Sequence, residues 1–405
     1  MKQPKIRFKG FTGEWEEKKF DSLAKIRRGL TYSPSNITTK GVRVLRSSNI
    51  NEDIFVTSED DVFVEETCVN IPLANDGDIL ITAANGSPRL VGKHAVVETN
   101  GSTMVPGGFM VLAMTDEPYF LNTCMSSPWY KTFLKTGVAG GNGAIGNLNK
   151  TALGDSVFFI PSNQTERESL ALFFHHLDTL IQSTTKKIDS LKQVKAASLQ
   201  SMFPQEGETT PRIRFKGFEG EWTPTTLGEV AIVIGGGTPS TNSSSYWNGG
   251  IQWFTPSEIG HKKYVEFSER TISKEGLENS SAKLIPPNSI LLSSRATIGE
   301  VSINIKECTT NQGFQSLIPI NVNLEFLYYL VTTKKGKLIL ESNGSTFLEV
   351  SANKVKSIDI YIPQPAEQKA IGEFFSNLDS QISLHSQRLE KLKQIKSACL
   401  DNMFV

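Results

Sequence analysis

Residues 141–146 read Gly-Asn-Gly-Ala-Ile-Gly, the Gly-x-Gly-x-x-Gly spacing that lets a backbone wrap a pyrophosphate. That chemistry needs a strand before the glycines, a helix after them, and an acidic residue at the end of a second strand. Here a helix-like stretch, Trp129 to Leu134, precedes them and Asn147-Leu148-Asn149 follows. The segment reads instead as a Gly/Asn loop, able to approach a backbone phosphate. Other constellations fail as well. His175 and His176 are neighbours in a helical stretch, where side chains diverge by about 100°, and no i+4 partner completes a chelating pair. Cys68, Cys124, Cys308 and Cys399 lie far apart, without Cys-x-x-Cys spacing, and read as reduced thiols of a cytoplasmic protein. There is no phosphate loop, no His-Glu-x-x-His and no Gly-x-Ser-x-Gly. The Asn/Asp-Pro-Pro-Tyr segment of adenine N6-methylases is missing, and Glu258 with Lys262 lacks the leading Asp of a nuclease cluster.

The elements around these residues are written twice. Residues 4–15 read PKIRFKGFTGEW and residues 211–222 read PRIRFKGFEGEW, an offset of 207. Residues 192–203 read KQVKAASLQSMF and residues 393–404 read KQIKSACLDNMF, an offset of 201. A period near 200 is too long for a solenoid and indicates a duplicated domain pair with an approximate internal two-fold.

The run from Gln164 to Phe203 holds no Pro and no Gly. Its apolar residues recur at three- and four-residue steps, the mark of one helical face. From Leu177 the steps pass through Ile181, Thr184, Ile188 and Leu191, a heptad seam with one polar member. Leu378, Ile382, Leu389 and Leu392 repeat it, with His385 in the place of Thr184. Each helix should reach roughly 55 Å at 1.5 Å per residue. The simplest partner for each stripe is the other, packed antiparallel. The bodies between read as mixed α/β, with strands near 78–82, 109–112, 157–160, 289–293 and 358–362. The expected division is a first body over 1–162, a first helix over 163–205, a second body over 206–364 and a second helix over 365–405. Glu206 to Pro211 reads as the link between the halves.

Composition bounds the class. The 405 residues carry 42 Lys+Arg and 42 Asp+Glu, and 38% are hydrophobic. This is a folded chain of several domains, not a uniformly basic nucleic-acid coat. The basic start, Met1 to Lys5, leads into no apolar run, and no stretch approaches 18 apolar residues, so neither a signal peptide nor a membrane span is expected.

Four passages carry a resemblance: RFKGFEGEW, the run GGGTPSTNSSSYWNGGIQWFTPSEIG over 235–260, NQGFQSLIP over 311–319, and IPQPAEQKAIGEFFSNLD over 362–379. The first-half counterpart of the last is IPSNQTERESLALFFHHLD, where Thr165-Glu166-Arg167 replaces Ala366-Glu367-Gln368. With these the chain resembles, along essentially its whole length, the specificity subunit of type I restriction–modification systems. The resemblance implies two globular target-recognition domains joined by two long helices in an antiparallel coiled coil. It implies no catalytic residue and no cofactor in this chain. S-adenosylmethionine, ATP and Mg belong to partner subunits. The implied partners are double-stranded DNA, two methylase subunits and, in the full complex, two motor–nuclease subunits. Each domain would read one half of a split DNA word, and the helices would fix the gap. The first body lacks the GGGTPS…YWNGG pattern, which fits two domains of different subtype. Half-sites on one face of B-DNA lie about 34 Å apart per turn, within reach of such helices.

Base edges and phosphates are met by Arg, Lys, Asn and Gln. The first-half candidates are Arg43, Arg46, Arg89, Lys93, Asn142, Asn147 and Asn149. Those of the second half are Lys262, Lys263, Arg295, Asn311, Gln312, Lys334, Lys335 and Lys337. Arg89 and Arg295 stand out, each following a strand-like run by a similar interval. Tyr246, Trp247 and Trp253 could stack on bases, but packing the fold is the better reading. Residues 47–88 hold nine acidic residues and no Lys or Arg, a face that should repel DNA and serve as solvated surface or as a methylase contact. Two other classes stay open: a scaffold pairing two identical proteins, and a nuclease with an unrecognised site.

Overall fold

The computed structural model describes residues 3–139, 145–343 and 348–405. Two helices dominate it, Gln164–Ser201 with 38 residues and Pro365–Met403 with 39. Asn163 caps the first, its Oδ1 accepting from the N–H groups of Thr165 at 2.8 Å and Glu166 at 3.3 Å. The second opens on Pro365, which lacks the N–H that a first turn leaves unpaired anyway. Its one internal glycine, Gly372, lies so close to the helix Leu324–Thr333 that a Cβ would meet Glu325 Cβ at 2.8 Å.

The chain divides into two compact units. One holds residues up to 186 together with 386–405, and the other holds 187–385. Each unit therefore contains a part of both long helices.

In the first unit, Leu170, Phe174 and Leu177 share a core with Leu400, Met403 and Phe404. Phe174 meets Phe404 at 5.8 Å and Lys396 pairs with Asp178 at 2.7 Å, so the two helix segments run antiparallel. Leu177 and Ile181 of the expected seam are buried here, and Leu389 and Leu392 are half-buried. The polar member Thr184 is also buried, and its hydroxyl donates to the Leu180 carbonyl at 2.7 Å.

In the second unit, Leu191, Met202 and Phe203 share a core with Ile371, Phe375 and Leu378. Phe203 meets Phe375 at 5.9 Å and Lys195 pairs with Asp379 at 2.6 Å, again antiparallel. Ile188, Leu191 and Leu378 are buried, and Ile382 is half-buried against the same core.

The bodies are mixed α/β. The first unit carries a four-stranded antiparallel sheet in the order His94–Val96, Ile79–Thr82, Met110–Met114, Lys25–Arg28. A second sheet packs Val42–Leu45 between Met104–Pro106 and Phe63–Val64. The expected strand at 109–112 begins one residue later and leaves Phe109 outside it, 66% exposed. The second unit carries a five-stranded sheet in the order Ala231–Gly235, Gln315–Pro319, Ser289–Leu292, Val301–Asn304, Tyr264–Val265. Trp247–Phe254 forms a smaller sheet with Arg270–Ile272 and Cys308–Thr310.

The repeated opening segments bind the helices. Arg7 donates from Nε and Nη2 to the two carboxylate oxygens of Glu166 at 2.6 and 2.7 Å, and its other N–H groups hold the carbonyls of Thr12 and Gly13. Arg214 does the same to Glu367, at 2.6 and 2.7 Å, and to the carbonyls of Glu219 and Gly220. Trp15 packs edge-on against Phe404 at 5.9 Å, and Trp222 against Phe203 at 6.2 Å. The linking segment 206–211 joins this arrangement, since Trp222 donates its backbone N–H to Thr209.

Candidate nucleic-acid interface

In the first unit, Gly29 passes so close to Gly107 that a Cβ would lie 1.9 Å from the Gly107 carbonyl oxygen. Only glycine allows these two loops to meet. Beside them opens a cleft of about 760 Å³, lined by Tyr32, Arg46, Ser47, Asn85, Phe109 and Ile145 among others. Arg46 and Phe109 are exposed there. The strand Gly146–Leu148 pairs with Ala84–Asn85 at the same place, which brings the exposed Asn147 beside Ala84. Arg89 stands exposed on the single turn Pro88–Leu90 that follows.

The other first-half candidates are placed differently. Arg43 is tied to Asp61, donates to the Ser58 carbonyl at 3.0 Å and lies 4.7 Å over the Phe63 ring. Lys93 is half-buried. Asn149 caps the short helix Lys150–Asp155, accepting from the Ala152 N–H at 3.0 Å. Asn142 lies outside the described residues. Part of the acidic stretch 47–88 is engaged: Asp61 with Arg43 and Asn49, Asp76 with Thr99, and Glu52 with Lys393.

In the second unit, Gly236 threads past the loop 310–311, where a Cβ would lie 2.0 Å from the Asn311 carbonyl oxygen. Trp253 donates its indole N–H to the Gly237 carbonyl at 2.9 Å, and Trp247 donates to Ser240 at 3.1 Å. The two rings meet at right angles, 5.1 Å apart, with Arg270 3.6 Å over Trp247. Both tryptophans thus pack the fold, which is why the sequence pairs a glycine run with YWNGG. A cleft of about 890 Å³ opens beside Arg295 and Lys335, with Thr297, Glu300 and Glu349 on its wall. Arg295 pairs with Glu349 at 2.7 Å, and Lys335 pairs with Glu300. Gln312 is exposed on a neighbouring loop and accepts from the Thr238 hydroxyl.

Lys263 is not part of this surface. It is largely buried, paired with Glu325 and donating to Tyr329 and Ser376 at 2.8 Å. Burial pulls its ammonium below the usual lysine value, while Glu325 opposes the shift. Lys334 is half-buried and lowered by desolvation as well. Asn311 accepts from the Gly313 N–H, Lys337 lies 3.8 Å from Asp359, and Lys262 is exposed. Phe109, Tyr32 and Glu349 also line these clefts, and no local sequence pattern marks them as site residues. The Gly107-Gly108 pair before Phe109 was the available signal of a close-packed loop.

No group of three or more His, Cys, Asp or Glu suited to a metal occurs among the described residues, and none of their helices is long and apolar enough to cross a membrane. All four cysteines are unpaired, Cys124 and Cys308 being buried.

The family model of the type I restriction modification DNA specificity domain matches residues 219–394. The MjaIX specificity subunit of Methanocaldococcus jannaschii is 37% identical over 190 residues, 46% of this chain and 44% of that protein. The EcoR124I/EcoR124II specificity subunit of Escherichia coli is 34% identical over 176 residues, 42% of this chain and 43% of that protein. The matched stretch thus spans less than half the length of either relative. The crystal structure of the type I restriction–modification S subunit from M. genitalium superposes with a TM-score of 0.66 at 14% identity, covering 100% of this chain and 99% of that one. Residues 219–394 thus match the type I restriction modification DNA specificity domain, and the chain has the fold of the solved S subunit and resembles type I restriction enzyme specificity subunits over less than half of their length.

Proposed function

We propose that this chain is the non-catalytic specificity subunit of a type I restriction–modification complex. Its two target-recognition domains each read one half of a bipartite DNA word. The long helices set the gap and, with the repeated opening segments, dock two methylase subunits; two motor–nuclease subunits join in the full complex. S-adenosylmethionine, ATP and Mg act in those partners, and the complex works in the cytoplasm. In the first domain Arg46, Arg89 and Asn147 face DNA, and in the second Arg295, Gln312 and Lys335.

One observation carries this reading. The same anchoring set, an Arg–Glu fork, a Trp–Phe edge contact and a Lys–Asp pair, occurs in both units with the sequence offsets of the repeat. The clefts differ in lining. Like anchors suit two copies of one partner, and unlike clefts suit two different DNA words. The test is methylome sequencing of the host with and without the gene. A split motif, methylated on both strands and lost on deletion, supports the proposal. An unchanged methylome, with the partner methylase expressed, overturns it.

A further inference from the structure

The Arg295–Glu349 pair sits on the wall of the second unit's cleft, with side chains 43% and 38% exposed. An exposed pair of this kind contributes little to stability. The backbone nevertheless holds it with care. Arg295 and Glu349 form a two-residue antiparallel bridge. Val350 donates to the Ser294 carbonyl at 3.1 Å, and Glu349 exchanges both backbone hydrogen bonds with Asn343. Ala296, immediately after Arg295, sits at φ 56°, a left-handed conformation that alanine adopts only under constraint. The result is a donor fork and an acceptor carboxylate, side by side, at the mouth of a concave face.

That pairing of groups matches one base pair. In the major groove guanine presents two acceptors, O6 and N7, which a guanidinium meets with two hydrogen bonds. Cytosine beside it presents the N4 donor, which a carboxylate accepts. An A·T pair sets an amino donor where the guanidinium would donate, and a carbonyl acceptor opposite the carboxylate. We propose that Arg295 and Glu349 together read a single G·C pair within the half-site taken by the second unit. The inference rests on the proposed DNA-reading function. In the free protein the ion pair keeps both side chains aligned and their charges neutralised. Lys335, a point charge held by Glu300 on the same cleft, suits a phosphate instead.

The test is methylome sequencing of strains carrying the wild-type full-length gene, Arg295→Gln, Arg295→Lys or Glu349→Gln. The wild-type motif should contain a G·C pair that every variant relaxes, alone, while the other half-word stays unchanged. Discrimination at that position should fall by roughly 5- to 150-fold, the range of one good bidentate contact. Arg295→Lys keeps the charge and loses the fork. Wild-type specificity in that strain would make Arg295 a phosphate contact and overturn the proposal. An unchanged word in Arg295→Gln and Glu349→Gln, or weaker methylation without loss of any one base, overturns it too. Absence of any gene-dependent motif in the wild-type strain would instead remove the functional reading beneath it.

Discussion

Arg214 and Glu367 stand 153 residues apart in sequence and meet through two parallel hydrogen bonds of 2.6 and 2.7 Å. Glu367 is fully buried in the first turn of the second long helix, while Arg214 belongs to the repeated RFKGF segment. The contact explains why that segment is written twice, because Arg7 and Glu166 make the same fork. Each opening segment is a clasp that ties the chain to the start of a long helix.

Removing one side of a buried pair leaves an uncompensated charge, at a cost of about 3–5 kcal/mol. Arg214→Ala should lower the unfolding free energy by this amount, read by chemical denaturation, and Arg7→Ala by a similar amount. Losses below about 1 kcal/mol in both would show that the forks do not hold the helices.

Gly236→Ala forces a Cβ to within 2.0 Å of a backbone carbonyl. Overpacking of this kind costs typically about 1–3 kcal/mol. The variant should melt at lower temperature, whereas alanine at the open Gly336 should change little. Equal melting temperatures for the two variants would contradict the close approach of the loops.

Burial pushes the Cys308 thiol up to about 12 from an ordinary value of 9.0, and raises Cys124 as well. Between these two pH values the unfolded chain loses the Cys308 proton and the native chain keeps it. Stability should therefore fall as pH rises through about 9 to 12. In native protein at pH 8, iodoacetamide should modify the half-buried Cys68 and Cys399 before Cys124 and Cys308, as peptide mass spectrometry would show. Early labelling of Cys308 would contradict its burial.

Arg89 is exposed and pairs with no carboxylate among the described residues, so it suits a phosphate contact. Arg89→Ala should weaken DNA binding by the assembled complex alike on every sequence and lower the salt slope by about one. A change confined to one base pair would assign Arg89 to base reading.

The long helices were legible because their period is local: no Gly or Pro interrupts 164–203, and the apolar stripe recurs at every turn. The clasps were visible as a repeat, yet their meaning was not, because no local pattern links Arg214 to a glutamate 153 residues away. The same limit affected the candidate cations. Lys263 and Lys335 look alike as residue types, and only tertiary packing buries the first against Tyr329 and leaves the second on a cleft. The apolar run from Phe109 predicts a strand that starts there, whereas the strand starts at Met110 and Phe109 stands in solvent after Gly107-Gly108.

Two bodies that read separate half-words across a fixed gap should be exchangeable one at a time. The most direct measurement replaces residues 23–156 with the matching body of another specificity subunit, keeps both long helices and both opening segments, and sequences the host methylome. One half of the split motif should change while the other half and the gap length persist. A motif altered in both halves, or unaltered in either, would show that the two bodies do not read separate half-words.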